Sequence, residues 1–298
     1  MKPPRFEYLL PRSLDEALTM LAQHGEDAKV LAGGQSLVPM LNFRLVRPAY
    51  LVDLNDIPGL DAIRVDDGRL MLGAMARQRA VERSPLVREC CPLLADAVPQ
   101  IGHVQIRNRG TVGGSLAHAD PAGELPAVVA ALDAELVLRS ARGERRLTPE
   151  QFFVGYLTTA TAPDELLVET RVPVATPRTG TAFLEVSRRH GDFALVGVAA
   201  TVTVDDGGVC TGCAIALTGV GPTPVTARDA ARAMVGVKPA AGAFEDVARR
   251  VTAPLSPDSD LHASSDYRKH LAGVLTRRAL ARAVERIDGA RATTKDRR

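Results

Sequence analysis

Within the first 55 residues a helical spacing gives way to a short apolar run, a Gly-Gly pair, a second helical stretch and another apolar run. Few chain folds accommodate so rapid an alternation. Ser13 is placed as an N-cap, with Glu16 three residues on to complete a capping box. Leu14, Ala17, Leu18 and Leu21 share one helical face, and Gly25 is placed to stop the helix. "AKVLAG" reads as a short buried strand and "SLVPMLNFRL" as a helix that tolerates Pro39 in its first turn. "YLVDL", from Tyr50, reads as a second strand. Together these make a small α/β unit.

A second Gly-Gly pair stands 80 positions after the first, in "RNRGTVGGSLAHADPAGELP". Adjacent glycines reach backbone angles closed to other residues and bring no Cβ. Their successive N–H groups can line a concave anion site, and a helix beginning just after adds further free N–H groups. Gly33-Gly34-Gln35-Ser36 and Gly113-Gly114-Ser115 both suit that description. Neither is a G-x-G-x-x-G dinucleotide loop, and no Lys follows either pair as a Walker loop requires. Local pattern alone leaves two readings open: two tight turns, or two ligand loops.

Strands are expected near "RLMLGAM" and "AELVLRS", with helices at "PLLADAV" and "AGELPAVVAAL". "GERRLTPEQFF" reads as a turn and a short capped segment, and "DELLVETRVPV" as an edge-type strand ending at Pro173. The composition turns to Pro, Thr and Gly at "ATPRTGTAF", which places a domain boundary near residue 175. Beyond it, "ATVTVDD" and "CAIALTG" are strands joined by a tight turn at Asp205 to Gly208. A last helix from Ser265 carries Leu271, Val274, Leu275, Val284 and Ile287 as its apolar stripe, with Arg277, Arg278, Arg282 and Arg286 on a solvated or partner-facing side. Residues 291–298 read as a disordered polar tail.

The chain of 298 residues has a formal net charge of only +2, which argues against a nucleic-acid binder. The N-terminus lacks an apolar signal core, and "FALVGVAATVTV" is too short to span a bilayer, so no transmembrane segment and a cytoplasmic location are expected. Cys90, Cys91, Cys210 and Cys213 read as structural thiols rather than as metal ligands. His103 and His118 read as satisfied polar residues, and no third ligand joins His118 and Asp120 to make a metal site.

"KVLAGGQSLVPMLNFRLVRPAYLVDLNDIPGL" and "QIRNRGTVGGSLAHADPAGELP" resemble the two flavin-binding motifs of the FAD-binding medium subunits of molybdenum hydroxylases, the carbon monoxide dehydrogenase and xanthine dehydrogenase family. "RRHGDFALVGVA", "IALTGVGPTPVTA" and "SSDYRKHLAGVLTRRAL" are similar to the second domain of that family, so the resemblance covers nearly the whole chain. It implies an α+β fold: a two-subdomain FAD-binding region of the vanillyl-alcohol-oxidase (PCMH) type over residues 1–175, divided near residue 55, then a smaller α+β domain with an antiparallel sheet over residues 176–290.

Carried over by motif, the resemblance implies an FAD diphosphate cradle at Ala32, Gly33, Gly34, Gln35 and Ser36, with Leu37 beside it and Lys29 supporting the region. It implies a second cradle at Thr111, Val112, Gly113, Gly114 and Ser115, and a place near the flavin or ribityl chain for Ile101 and Gly102. Asp120 and Glu124 fall near the adenosine part, where relatives often have Asp in place of Glu124. Arg188, His190, Gly191, Asp192 and Phe193 form the segment that approaches the flavin from the second domain, with Phe193 where many relatives have Tyr. Leu167 and Val168 match an apolar spot near the adenine end. The implied role is electron transfer without catalytic acids or bases. A large partner subunit would hold the molybdenum cofactor and select the substrate, and a small one would hold iron–sulfur clusters. FAD here would pass electrons to an external acceptor, in a heterohexamer built as a dimer of heterotrimers that meets the inner membrane face, if at all, through its partners. A stand-alone flavin oxidoreductase of the same fold is the alternative.

Overall fold

A computed structural model describes residues 2–295, with side chains of the final helix described as far as Ile287. The chain opens with β1 (Glu7–Leu9), α1 (Leu14–His24), β2 (Ala28–Leu31), α2 (Leu37–Asn42) and β3 (Tyr50–Asp53). The three strands form a parallel sheet in the order β1-β3-β2. Ser13 caps α1 by accepting from the N–H of Glu16, while the Glu16 carboxylate accepts from the N–H of Arg12, one residue before the cap, so the expected box is only half made. Ala17, Leu18 and Leu21 are buried as their spacing requires, and Gly25 takes a positive φ that ends the helix.

A second unit begins with β4 (Ile63–Asp66) and β5 (Arg69–Gly73), then the short helices α3 (Gln78–Arg83), α4 (Pro85–Cys90), α5 (Pro92–Ala97), α6 (Val104–Arg109), α7 (Val112–His118) and α8 (Glu124–Ala131). It continues with β6 (Glu135–Ser140), β7 (Gly143–Leu147), α9 (Pro149–Phe152), a small hairpin of β8 (Phe153–Gly155) and β9 (Thr158–Thr159), and β10 (Leu166–Pro173). The main sheet is antiparallel in the order β4-β5-β10-β6-β7. This corrects the edge assignment of "DELLVETRVPV": β10 is the central strand. Pro173 is tolerated because it is the last residue of the strand, opposite Arg69. The edges are β4 and β7; β7, read from its charges as a turn, has Arg145 paired with Glu165, and such charge suits an exposed edge. β4 also lay unread, joined to β5 by Asp67 and Gly68, both at positive φ.

The third unit is an antiparallel sheet in the order β11 (Thr179–Ser187), β12 (Ala194–Val204), β13 (Cys210–Thr218), β14 (Val225–Thr226). Asp205 to Gly208 form the expected turn, with Gly208 donating to the Asp205 carbonyl. Helices α10 (Arg228–Arg232), α11 (Ala241–Thr252) and α12 (Ser265–Lys295) follow. Val196, Val198, Ala200 and Val202 of β12 face α11 and α12, while Ala199, with Phe183 and Ala216, joins the core around α5 and α8. The C-terminal sheet is therefore buried on both faces. α12 runs to Lys295, through residues expected to be a loose tail; the rest of that expected tail, residues 296–298, lies outside the described residues. Arg286, expected on the solvated side, is half-buried, paired with Asp96 and donating to the Thr181 carbonyl at 2.6 Å.

Candidate functional site

Gly33 and Gly34 stand where β2 leaves its sheet. Gly34 has φ +75°, a conformation glycine adopts at little cost. A Cβ on Gly33 would lie 2.8 Å from the Gly110 Cα, so this loop lies backbone against backbone on the segment before the second glycine pair. Among the described residues no acceptor reaches the N–H groups of residues 33–37. Five successive donors are left open at a glycine turn, the arrangement that binds an anion. The hydroxyl of Ser36 caps nothing, and Gln35 turns back to donate to the Gly33 carbonyl.

The second pair is built differently. Gly113 and Gly114 lie inside the first turn of α7 rather than ahead of it, with Thr111 as the N-cap. Val112 donates to Ala76, Gly113 to Ala74, Gly114 to the Thr111 Oγ1 and Ser115 to the Thr111 carbonyl. These four N–H groups are occupied within the protein, so anything the expected cradle at Thr111 to Ser115 offers a ligand comes from side chains and from space rather than from these amides. Gly113 is small because a Cβ there would stand 2.5 Å from that of Ala74. Gly114 turns toward the first loop, its missing Cβ 3.6 Å from that of Ala32. The half-exposed Ser115 hydroxyl has no partner among the described residues.

A polar chain absent from the sequence reading joins the loops. Asn55 donates to the Ala32 carbonyl at 3.0 Å, and Arg77 donates to the Asn55 Oδ1 at 2.5 Å and to the Arg109 carbonyl. Asp53 accepts from both the backbone and side chain of Asn55 and from the Tyr8 hydroxyl, which that contact pushes up to about 12. Arg77 is held below its ordinary range by burial and by neighbouring Arg109. Asn55 and Arg77 follow strands without special spacing, so nothing local marks them.

The C-terminal domain closes on the second loop. Gly191, at φ +88°, lies against the His103 ring, where a Cβ would come within 2.6 Å of Nδ1, and the His103 and His190 rings are 6.0 Å apart. The carboxylate of Asp192 lies 3.6 Å from both Arg188 and Arg189, and Phe193 is 62% exposed. Arg268 donates to the carbonyls of Leu195 and Gly219, fixing the strand that leaves this segment. Thr218 and Gly219 both donate to the Pro121 carbonyl, gripping the turn after α7. Asp120 shapes that turn by accepting from Ala122. Buried Arg107 donates to the carbonyls of Ile101 and Gly102 and pairs with Glu82.

Glu124 is 5% exposed, at the start of α8 under the C-terminal sheet. Burial pushes its carboxyl up to about 7, and desolvation with the nearby Glu124 charge pushes the half-buried Glu185 of β11 up to about 8. Leu167 and Val168 are core residues at a bulge of β10; Ala32 packs against the core that holds Val168, and the Val168 carbonyl accepts from Ala74, while Lys29 is exposed on β2. His118 lies 4.0 Å from Asp120, and among the described residues no three His, Cys, Asp or Glu gather as metal ligands. The four cysteines are free thiols.

Residues 4–175 match the family described as FAD binding domain in molybdopterin dehydrogenase, and residues 181–283 the CO dehydrogenase flavoprotein C-terminal domain. The chain is 42% identical over 286 residues to subunit alpha of the 6-hydroxypseudooxynicotine dehydrogenase complex of Paenarthrobacter nicotinovorans, covering 96% of this chain and 97% of that one. It is 39% identical over 280 residues to the carbon monoxide dehydrogenase medium chain of Hydrogenophaga pseudoflava, covering 94% and 97%. The solved structure of the carbon monoxide dehydrogenase from Hydrogenophaga pseudoflava superposes with a TM-score of 0.93 at 40% identity, covering 96% of this chain and 99% of that one.

Proposed function

The chain belongs to the family of FAD-binding medium subunits of molybdenum hydroxylases, and from that premise we propose that it takes electrons from iron–sulfur clusters of a partner subunit and passes them through FAD to an external acceptor. It is an oxidoreductase subunit, and its relatives are named as parts of multisubunit dehydrogenases. FAD when bound holds one or two electrons, which couples one-electron donors to a two-electron acceptor.

The residues present fit that group. Residues 33–37 offer open N–H groups at a turn whose Gly33 has no room for a Cβ, and Arg77 and Arg109 stand beside it. That open amide turn, closed on by a second glycine segment 80 residues away, is the observation that carries the reading. In this proposal residues 32–37 hold the diphosphate through backbone donors. Ser115 adds a hydroxyl, Gly114 leaves space, and the 188–193 segment borders the flavin end. Partner subunits hold the molybdenum cofactor and the clusters, in a cytoplasmic dimer of heterotrimers. Among the described residues no helix is long and apolar enough to cross a membrane; in this proposal any membrane contact is made through the partners.

The test is to purify the chain with whatever assembles on it and to assay flavin, molybdenum and iron. Flavin together with both metals supports the proposal. Flavin on the chain alone, with turnover of its own, favours a stand-alone oxidoreductase. No flavin after reconstitution defeats both.

A further inference from the structure

Two loops far apart in the sequence must keep a fixed spacing if one bound molecule is to lie between them. Gly33 sets how closely they can approach, but a van der Waals contact does not fix their lateral position. The only polar link described between them runs from the Ala32 carbonyl to Asn55, from Asn55 to Arg77, and from Arg77 to the Arg109 carbonyl. We propose that Arg77, acting through Asn55, is the positioning residue that sets this spacing and thereby the fit of the FAD diphosphate; the inference rests on the FAD reading above.

The chemistry of each link supports the assignment. Asn55 is held from behind: its N–H and its side-chain amide both donate to Asp53, which is 7% exposed and anchored by Tyr8. With the amide nitrogen turned to Asp53 and Ala32, the oxygen is left to accept from Arg77. A planar guanidinium can donate in two fixed directions at once, to Asn55 and to Arg109, whereas an ammonium is a point charge without that fork. The same segment reinforces the bridge through its backbone, since Gln78 donates to the Gly110 carbonyl at 2.9 Å. Burial and Arg109 both oppose the Arg77 charge, so added negative charge nearby is favoured.

The experiment uses the complex purified with its partner subunits, stripped of flavin and titrated with FAD. Arg77→Lys and Asn55→Ala are each expected to weaken FAD by about 10-fold. The double variant is expected to be no weaker than either alone, because one bridge is cut in each case. The thermal midpoint of the flavin-free complex is expected to stay within about 2 °C. Wild-type affinity in Arg77→Lys overturns the proposal in favour of charge alone. Additive losses, or a fall in flavin-free stability that matches the loss of affinity, overturn it as well. If Arg77→Lys does not assemble, Asn55→Ala decides by the same criteria. A wild-type complex that takes up no FAD defeats the functional reading itself, whereas a wild type that binds no better than the variants defeats only this inference.

Discussion

Gly33-Gly34 and Gly113-Gly114 sit in similar sequence settings, yet the first leaves its N–H groups open while those of the second are bonded to the turn after β5 and to Thr111. Glycine serves two purposes here. At Gly33 and Gly34 it permits a turn and a close approach between loops. At Gly113 it lets a helix lie against Ala74, which is a packing role, and only Gly114 looks outward toward the other loop. A motif read as one repeated device is two devices placed face to face.

The sharpest way to break this comparison is Gly113→Val. Its Cβ would meet both the side chain and the backbone of Ala74, so a loss of about 3 kcal/mol in folding stability is expected by denaturant titration. Stability near that of wild type would show that Gly113 is no packing glycine. Gly33→Ala tests the other side. The Cβ would press on the Arg109–Gly110 backbone and part the loops, weakening FAD by roughly 10- to 100-fold, or about 1.4–2.8 kcal/mol, with a smaller effect on folding. Equilibrium flavin titration reads it, and an effect on folding larger than that on binding would reverse the assignment.

Gly114→Val lies between the two. Sequence alone predicts loss of FAD by steric exclusion. The structure adds that a Cβ there would stand 2.7 Å from the Thr111 Oγ1 and disturb the cap, so stability should also fall by about 1–2 kcal/mol. Wild-type FAD content in that variant would count against any role for Gly114 in the cradle.

The smallest expected effect concerns the second loop's side of the molecule, where buried Glu124 faces the charge of half-buried Glu185. Both folded values, about 7 and about 8, lie above the ordinary 4.5. The folded chain therefore keeps protons that the unfolded chain has already released. Their contribution is whole below about pH 4.5 and is lost as pH rises through about 7 to 8. Desolvation is the main cause for each; Asp120 adds to it at Glu124, Arg107 opposes it, and Glu124 adds to it at Glu185. Glu185→Gln is expected to stabilise the chain by about 1 kcal/mol near pH 9 and to change little near pH 5. Urea denaturation at the two values checks this, and an unchanged slope with pH would mean that the interface admits water.

Where signals were local, the sequence was legible. The face of α1, its Ser13 cap and Gly25 stop, and the Asp205 to Gly208 turn follow from spacing and backbone preference within a few residues. β7 was missed because an edge strand of charged residues has the composition of a turn, and the central place of β10 was missed because strand order is set by partners distant in the chain. At the site, the first glycine turn was legible for the same local reason. Asn55, Arg77, Arg107 and Glu185 were not, because each acts across a contact between segments far apart, and Asn55 or Arg77 alone resembles any polar residue after a strand.

The amino-acid sequence by itself determined the local elements, the turns that need glycine and, through two motif strings, the family. Tertiary structure alone decided which N–H groups stay open. A donor is free or occupied according to what packs beside it: the turn after β5 presents the carbonyls of Ala74 and Ala76 to the second glycine segment, and among the described residues no carbonyl reaches the N–H groups of the first.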